Sequence, residues 1–326
     1  MQRRDILLST ALATLAASLP VRAQSYPSRP VRLVVPFPPG GPTDAFARLF
    51  ADALGKQLGQ TVIVDNKAGA SGTIGSLDVK NSPPDGYSLL FGTASTHGLY
   101  NLIERQPRYD AATDFDYIAM LGGAPTALAV PINQPETLKA LFEAAKKDPA
   151  KFSYGSPGTG TLLHVATEQV MQLAGARILH VPYKGTGPAV QDLLGGNIQM
   201  AVGTLGGLLP LHRSGKLRIV GVATAKRMAQ ATDIPTIAES AGLAEPFEAL
   251  LWNVVAVPQK TPVDVRKRLA DAARLAMSQP EMVKAMSEQV IAADLRIGDE
   301  AASAYVRAEA LRWKPVVDKL GDAVRS

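Results

Sequence analysis

The sequence predicts an α/β protein of two domains, each a mostly parallel sheet flanked by helices. Three observations carry that expectation. Apolar and β-branched runs alternate with helix-period segments, the arrangement of parallel βαβ units. A strand end, a glycine turn and a helix start follow one another twice, once in each half of the chain. The 326 residues also suffice for two cores.

The first such device spans residues 33–48. Leu33 to Val35 ends a buried strand, and Pro36, Pro38 and Pro39 forbid both ladder and helix interior. Gly40 and Gly41 admit positive φ, so successive amides can face one concavity. Thr43 or Asp44 is placed to cap a helix over 45–57 whose apolar face is Phe46, Leu49, Phe50, Ala53 and Leu54. Such a combination suits an anion. The same pattern also fits an ordinary βα turn with two glycines and a cap.

Ahead of it, residues 1–23 carry Arg3-Arg4, an apolar run from Ile6 to Leu19 and small residues before the expected cleavage after Ala23. That is the anatomy of an export signal, by the general or the twin-arginine route, and the run is too short for a mature spanning helix. Net charge is +5 with no Lys/Arg block, and aromatics are 6%, which argues against nucleic acid as a partner. The absence of cysteine excludes disulfides, thiolate catalysis and a lipid anchor on cysteine.

Taken in order, Val31–Val35 reads as a first strand, 61–65 as a second and 87–91 as a third, with a helix over 74–81 between the last two. Gly69, Gly72 and Gly75 lack the dinucleotide spacing. The loop from Gly92 through Thr93, Ala94 and Ser95 to His97 leaves the third strand at its carboxyl end, so it should lie beside Gly40–Asp44. Strands follow over 115–121 and 126–130, separated by Gly122-Gly123, and the chain is expected to cross between domains near 122–128.

A helix over 137–147 and a strand over 152–155 lead into the second device, Ser156-Pro157-Gly158-Thr159-Gly160-Thr161, which feeds a helix over 162–173. The strand 178–181 precedes Tyr183 and the helix 189–194; the strand 198–202 ends at Gly203-Thr204, again where a ligand would lie. A short helix over 208–214 and a strand over 217–223 come next, then a short helical element over 235–239. The strand 250–257 returns the chain to the first domain. Closing helices over 263–277, 281–289 and 300–320 should pack there through Leu269, Leu275, Val306, Leu311 and Trp313. The four histidines are scattered without metal-ligand spacing, and no nucleophile elbow or P-loop is present. No metal, cofactor or catalytic residue is expected.

Tyr26-Pro27-Ser28-Arg29-Pro30, Val35 to Asp44, Pro84-Asp85-Gly86-Tyr87, Gly158 to Thr161, His180 to Gly185, Asp192 to Gly196 and Asp233 to Glu239 together resemble the Bug family over the whole mature chain. These are the periplasmic substrate-binding proteins of tripartite tricarboxylate transporters. The resemblance implies a two-lobed, type II-like Venus-flytrap fold of the periplasmic-binding-protein kind. Lobe 1 would comprise residues 24–124 and 249–326, and lobe 2 residues 125–248. It implies no enzymatic activity, a small organic carboxylate as ligand, membrane permease subunits as partners and a monomeric periplasmic protein.

The ligand would be gripped by Gly40, Gly41, Thr43 and Asp44 in one loop and Gly158, Thr159, Gly160 and Thr161 in the other. Thr93, Ala94, Ser156, Gly203 and Thr204 would stand at neighbouring strand ends, with Phe37, Tyr183 and Trp252 as an apolar or aromatic wall. Relatives often carry an acid near Gly203; none stands here, which argues against an amine-bearing ligand. Micromolar affinity needs about 8 kcal/mol net, whereas one helix N-terminus contributes about 0.3–1, so both loops must close on the ligand. Two other readings remain: a ligand sensor reporting to a membrane receptor, and a secreted hydrolase using Ser95, Ser156 or a histidine.

Overall fold

The computed structural model describes residues 26–325; the expected export signal, 1–23, lies outside the described residues. β1 (Val31–Val35), β2 (Val62–Asn66) and β3 (Ser88–Thr93) pair in parallel. α1 (Pro42–Leu58) and α2 (Thr73–Lys80) make the crossovers. α1 buries Phe46, Phe50, Ala53 and Leu54, while Leu49 is half-buried. The segment after β3 is no loop. Ala94–Leu99 form a π-helical turn capped reciprocally by Thr93 and Thr96, which runs into α3 (Tyr100–Ile103).

β4 spans Phe115–Val130 without a break, where two strands were expected. Glycine lets the strand bend rather than end: Gly122 sits at φ 117°, register shifts precede it, and Gly123 exchanges hydrogen bonds of 3.0 and 2.9 Å with Ala292. Residues 115–125 pair with β9 (Leu250–Pro258), whereas 126–130 pair with strands of the second half. The change of partner falls between Pro125 and Thr126, within the expected crossing region.

The second half contains α4 (Leu138–Lys147), β5 (Ser153–Ser156), α5 (Leu162–Leu173), β6 (Leu179–Pro182), α6 (Thr186–Leu194), β7 (Met200–Thr204), α7 (Leu205–Arg213), β8 (Arg218–Val222) and α8 (Ile237–Ala241). Thr137, Thr161 and Thr236 cap α4, α5 and α8 with their hydroxyl oxygens, which removes an orphan amide from each helix start. α6 and α7 each begin three residues earlier than expected, because Gly187-Pro188 and Gly206-Gly207 are tolerated in a first turn, where few intrahelical bonds are at stake. After β9 come α9 (Val263–Met277), α10 (Pro280–Glu288), β10 (Arg296–Ile297) and α11 (Asp299–Leu320).

The strand order is β2-β1-β3-β9-β4-β7-β5-β6, with β8 and β10 also on β4. Around β9 in the first sheet and β4 in the second, the remaining main strands share one direction, as the antiparallel pairings dictate. Each sheet is thus mostly parallel with a reversed crossing strand, and the whole is a two-lobed α/β fold with a curled mixed sheet. Separate clusters pack α1, α9 and α10 on the first sheet and α6 and α7 on the second; the largest core is continuous through β4, β9 and α11.

Leu269, Val306 and Trp313 are buried as expected, but Leu275 is 49% and Leu311 71% exposed. Both lie off the 3.6-residue stripes set by Leu269, Ala272, Ala273 and Ala276, and by Ala302, Val306, Trp313 and Val317.

Candidate functional site

β1 delivers the chain to Pro36, and the turn to α1 is built around Asp44. The Asp44 carboxylate accepts from the Gly40 amide at 2.9 Å, Arg48 Nε at 2.9 Å and Asn66 Nδ2 at 2.8 Å. Burial pushes this carboxyl up, but those donors outweigh it and hold it below the usual carboxylate range. Asp44 therefore shapes the loop from behind and is not its cap. The helix cap is Gly41, in extended conformation with no side-chain cap, and Pro42 takes the first helical position. Thr43 and Asp44 then fall in the first turn, whose amides have no intrahelical acceptor.

Facing this turn is a cavity of about 330 Å³. Phe37, Gly40, Gly41 and Thr43 form one wall, Pro157, Thr161 and Leu163 another, and Lys184–Pro188 with Gln191 a third. Pro38, Pro39, Pro42, Ser95 and Leu251 complete the lining, which contains one cation, Lys184, and no acid. A second cavity of about 480 Å³ shares Gly40–Thr43, Thr186, Gly187, Gln191 and Leu251 with the first and extends to Thr204 and α7.

The second glycine turn is engaged differently from expectation. Its amides are largely consumed at home: Gly158 N–H donates to Ser156 Oγ at 3.2 Å and Gly160 N–H to His164 Nδ1 at 3.1 Å. Leu162 N–H donates to Ser95 Oγ at 3.0 Å. Behind the turn, His164 stacks on His180 at 3.9 Å between ring centroids, and His180 Nε2 pairs with Ser156 Oγ at 2.7 Å. Burial, with a smaller push from His180, lowers His164 to about 3, and burial lowers His180 to about 4. The Thr161 hydroxyl is consumed too, donating to the Gly158 carbonyl at 2.8 Å and accepting the His164 amide, so the turn is a preformed wall rather than a row of free donors.

Of the sequence-predicted site residues, Phe37, Gly40, Gly41, Thr43 and Thr161 meet at the first cavity, and Thr204 meets Gly40, Gly41 and Thr43 at the second. Gly158, Thr159 and Tyr183 line a smaller neighbouring cavity of about 260 Å³, together with Phe37. Asp44, Thr93, Ala94, Ser156, Gly160 and Gly203 line none of these cavities. Thr93 is spent on its capping box, Gly203 sits inside β7 against Thr186 and Leu208, and Ser156 is fully buried. Trp252 belongs to the core rather than the wall: it is fully buried, and its Nε1 donates to Glu309.

Lys184, Thr186, Gln191 and Leu251 were missed as site residues, and Ser95 was named only as a hydrolase nucleophile rather than as a wall of the binding cavity. A signal for the first three was present, because β6, Gly185 at φ 108° and the start of α6 repeat the strand–glycine–helix device a third time. Among the described residues, no group of side chains has the makings of a metal site, and no helix is long and apolar enough to cross a membrane.

The sequence model described as "Tripartite tricarboxylate transporter family receptor", TctC, matches residues 46–322. The chain belongs to the TctC receptor family. Protein BugT of Bordetella pertussis is 34% identical to this TctC protein over 325 residues, covering 98% of each chain. The structure of the periplasmic binding protein BugD superimposes with a TM-score of 0.85 at 32% identity, covering 92% of this chain and 99% of that one. An R. palustris protein solved with adipate gives the same TM-score and identity, over 90% and 97% of the two chains. The Bug resemblance read from the glycine turns and the Pro-Tyr-Lys-Gly segment is the family relationship found here.

Proposed function

We propose that this chain is an exported solute-binding protein that captures a small organic carboxylate between its lobes and hands it to a membrane permease of the tripartite tricarboxylate type. The supporting observation is the first cavity: the N-terminal turns of α1 and α6 and the Lys184 ammonium surround it, with no acidic side chain in its lining. Helix N-termini and an ammonium stabilise an anion together, and each charge-assisted hydrogen bond contributes roughly 1.5–3 kcal/mol. The protein acts as a binder, not an enzyme, and works as a periplasmic monomer after cleavage near Ala23.

Residues 24–124 with 249–326 form lobe 1 and 125–248 lobe 2, a division favoured by the change of β4 partners after Pro125. Phe37, Gly40, Gly41, Thr43, Thr161 and Thr204 are the predicted ligand contacts that the cavity geometry favours. Calorimetric titration of carboxylates against their neutral amides tests the reading. Carboxylates should bind and amides should not, and Lys184→Met with Thr43→Ala should weaken binding at least tenfold. Equal binding of acid and amide would defeat it. Uptake of the bound acid by cells lacking the gene tests delivery.

A further inference from the structure

The two main cavities differ in chemistry. The first holds Lys184, whereas the second is the larger and, though it shares the Gly40–Thr43 turn, its lining carries no charged side chain of either sign. Its apolar walls are Phe46, Val190, Leu194, Leu208, Leu211 and Ile291, and its polar lining is uncharged: Gln289, Asn253, Gln191, Thr204 and the glycines that open α7. Asn253 is already engaged, its Nδ2 donating to the Gly92 carbonyl at 3.4 Å. The rim of glycine turn and α6 start is common to both cavities, so one ligand can span them.

We infer that the ligand is a monocarboxylate with an apolar or aromatic body: its carboxylate sits at the first cavity and its body fills the second. The inference rests on the carboxylate reading of the first cavity. A second carboxylate reaching into the larger cavity would exchange part of its hydration for uncharged side chains and the first turn of α7, with no side-chain cation opposite it. An amino group there would lack a carboxylate partner for the same reason. An apolar body instead gains from leaving water, and the volume is ample, since a cavity of about 150 Å³ holds benzene in an apolar interior. The R. palustris relative solved with the diacid adipate marks the alternative.

The test is calorimetry of the purified protein with hexanoate and phenylacetate, compared with adipate, glutamate and phenylacetamide. Phenylacetate or hexanoate should bind at least tenfold tighter than adipate or glutamate. Adipate or glutamate binding as tightly as the better monoacid overturns the inference and leaves the carboxylate reading standing. Phenylacetamide matching phenylacetate, or no binding by any acid, overturns both. Ile291→Lys and Leu211→Lys, on half-buried walls and checked for wild-type circular dichroism, should each weaken the monoacid tenfold or more and strengthen adipate. Unchanged monoacid affinity in both folded variants also overturns the inference.

Discussion

His97 and His164 are buried imidazoles held neutral by desolvation, each lowered to about 3. His164 has a further reason to stay neutral: its Nδ1 accepts the Gly160 amide, so a proton there would set two donors against each other. An imidazole depressed in the folded state is protonated first in the unfolded chain, where its value is near 6.5. The stability it contributes is present above about pH 6.5 and is lost progressively as pH falls through that value toward about 3. Urea titrations should therefore show unfolding free energy falling across that window by about 1.4 kcal/mol per pH unit for each such histidine. His164→Gln should flatten the slope by one histidine's share; an unaltered slope would remove His164 from the account.

Among the elements, the segment after α10 binds the two halves together. Val290, at φ 53°, has a left-handed backbone unusual for a β-branched residue, yet its side chain is buried in the core of the second sheet. The neighbouring Gln289 carbonyl lies against Gly206 in the first turn of α7, so closely that a methyl group there would overlap it. Because the obstacle is backbone, relief requires the whole crossing segment to move. Gly206→Ala should cost about 1–3 kcal/mol of stability, read as a lower urea midpoint. A wild-type midpoint would mean that the segment yields freely.

Across the molecule, Ser71 Oγ donates to the Thr159 carbonyl at 2.7 Å, and the Leu162 amide donates to Ser95. Both bonds join residues of the proposed lobe 1 to the second glycine turn, and Ser71 makes its bond from a left-handed backbone at φ 52°. A net hydrogen bond is worth about 0.5–1.5 kcal/mol, enough to shift an open–closed equilibrium up to roughly tenfold. Ser71→Ala should raise the radius of gyration of the ligand-free protein in small-angle scattering and weaken ligand binding by up to that factor. An identical scattering profile would assign closure to other contacts.

The α/β class, the glycine turns, the family and the stretch near residues 122–128 where β4 changes partners were legible along the chain, because these rest on local chemistry: β-branched runs, proline breaks, threonine caps and periodic apolar faces. Gly40, Gly41, Thr43 and Thr161 were legible for that reason. It took the folded chain to show that Asp44 is tied to Asn66 and lines none of the cavities, that β4 continues through Gly122, and that Trp252 is core. Folding also brought Lys184 and α6 to face the first turn. Those outcomes depend on which distant group supplies a hydrogen bond or fills a space: Asn66 for Asp44, Ala292 for Gly123, Glu309 for Trp252. No periodicity along the chain encodes such partnerships.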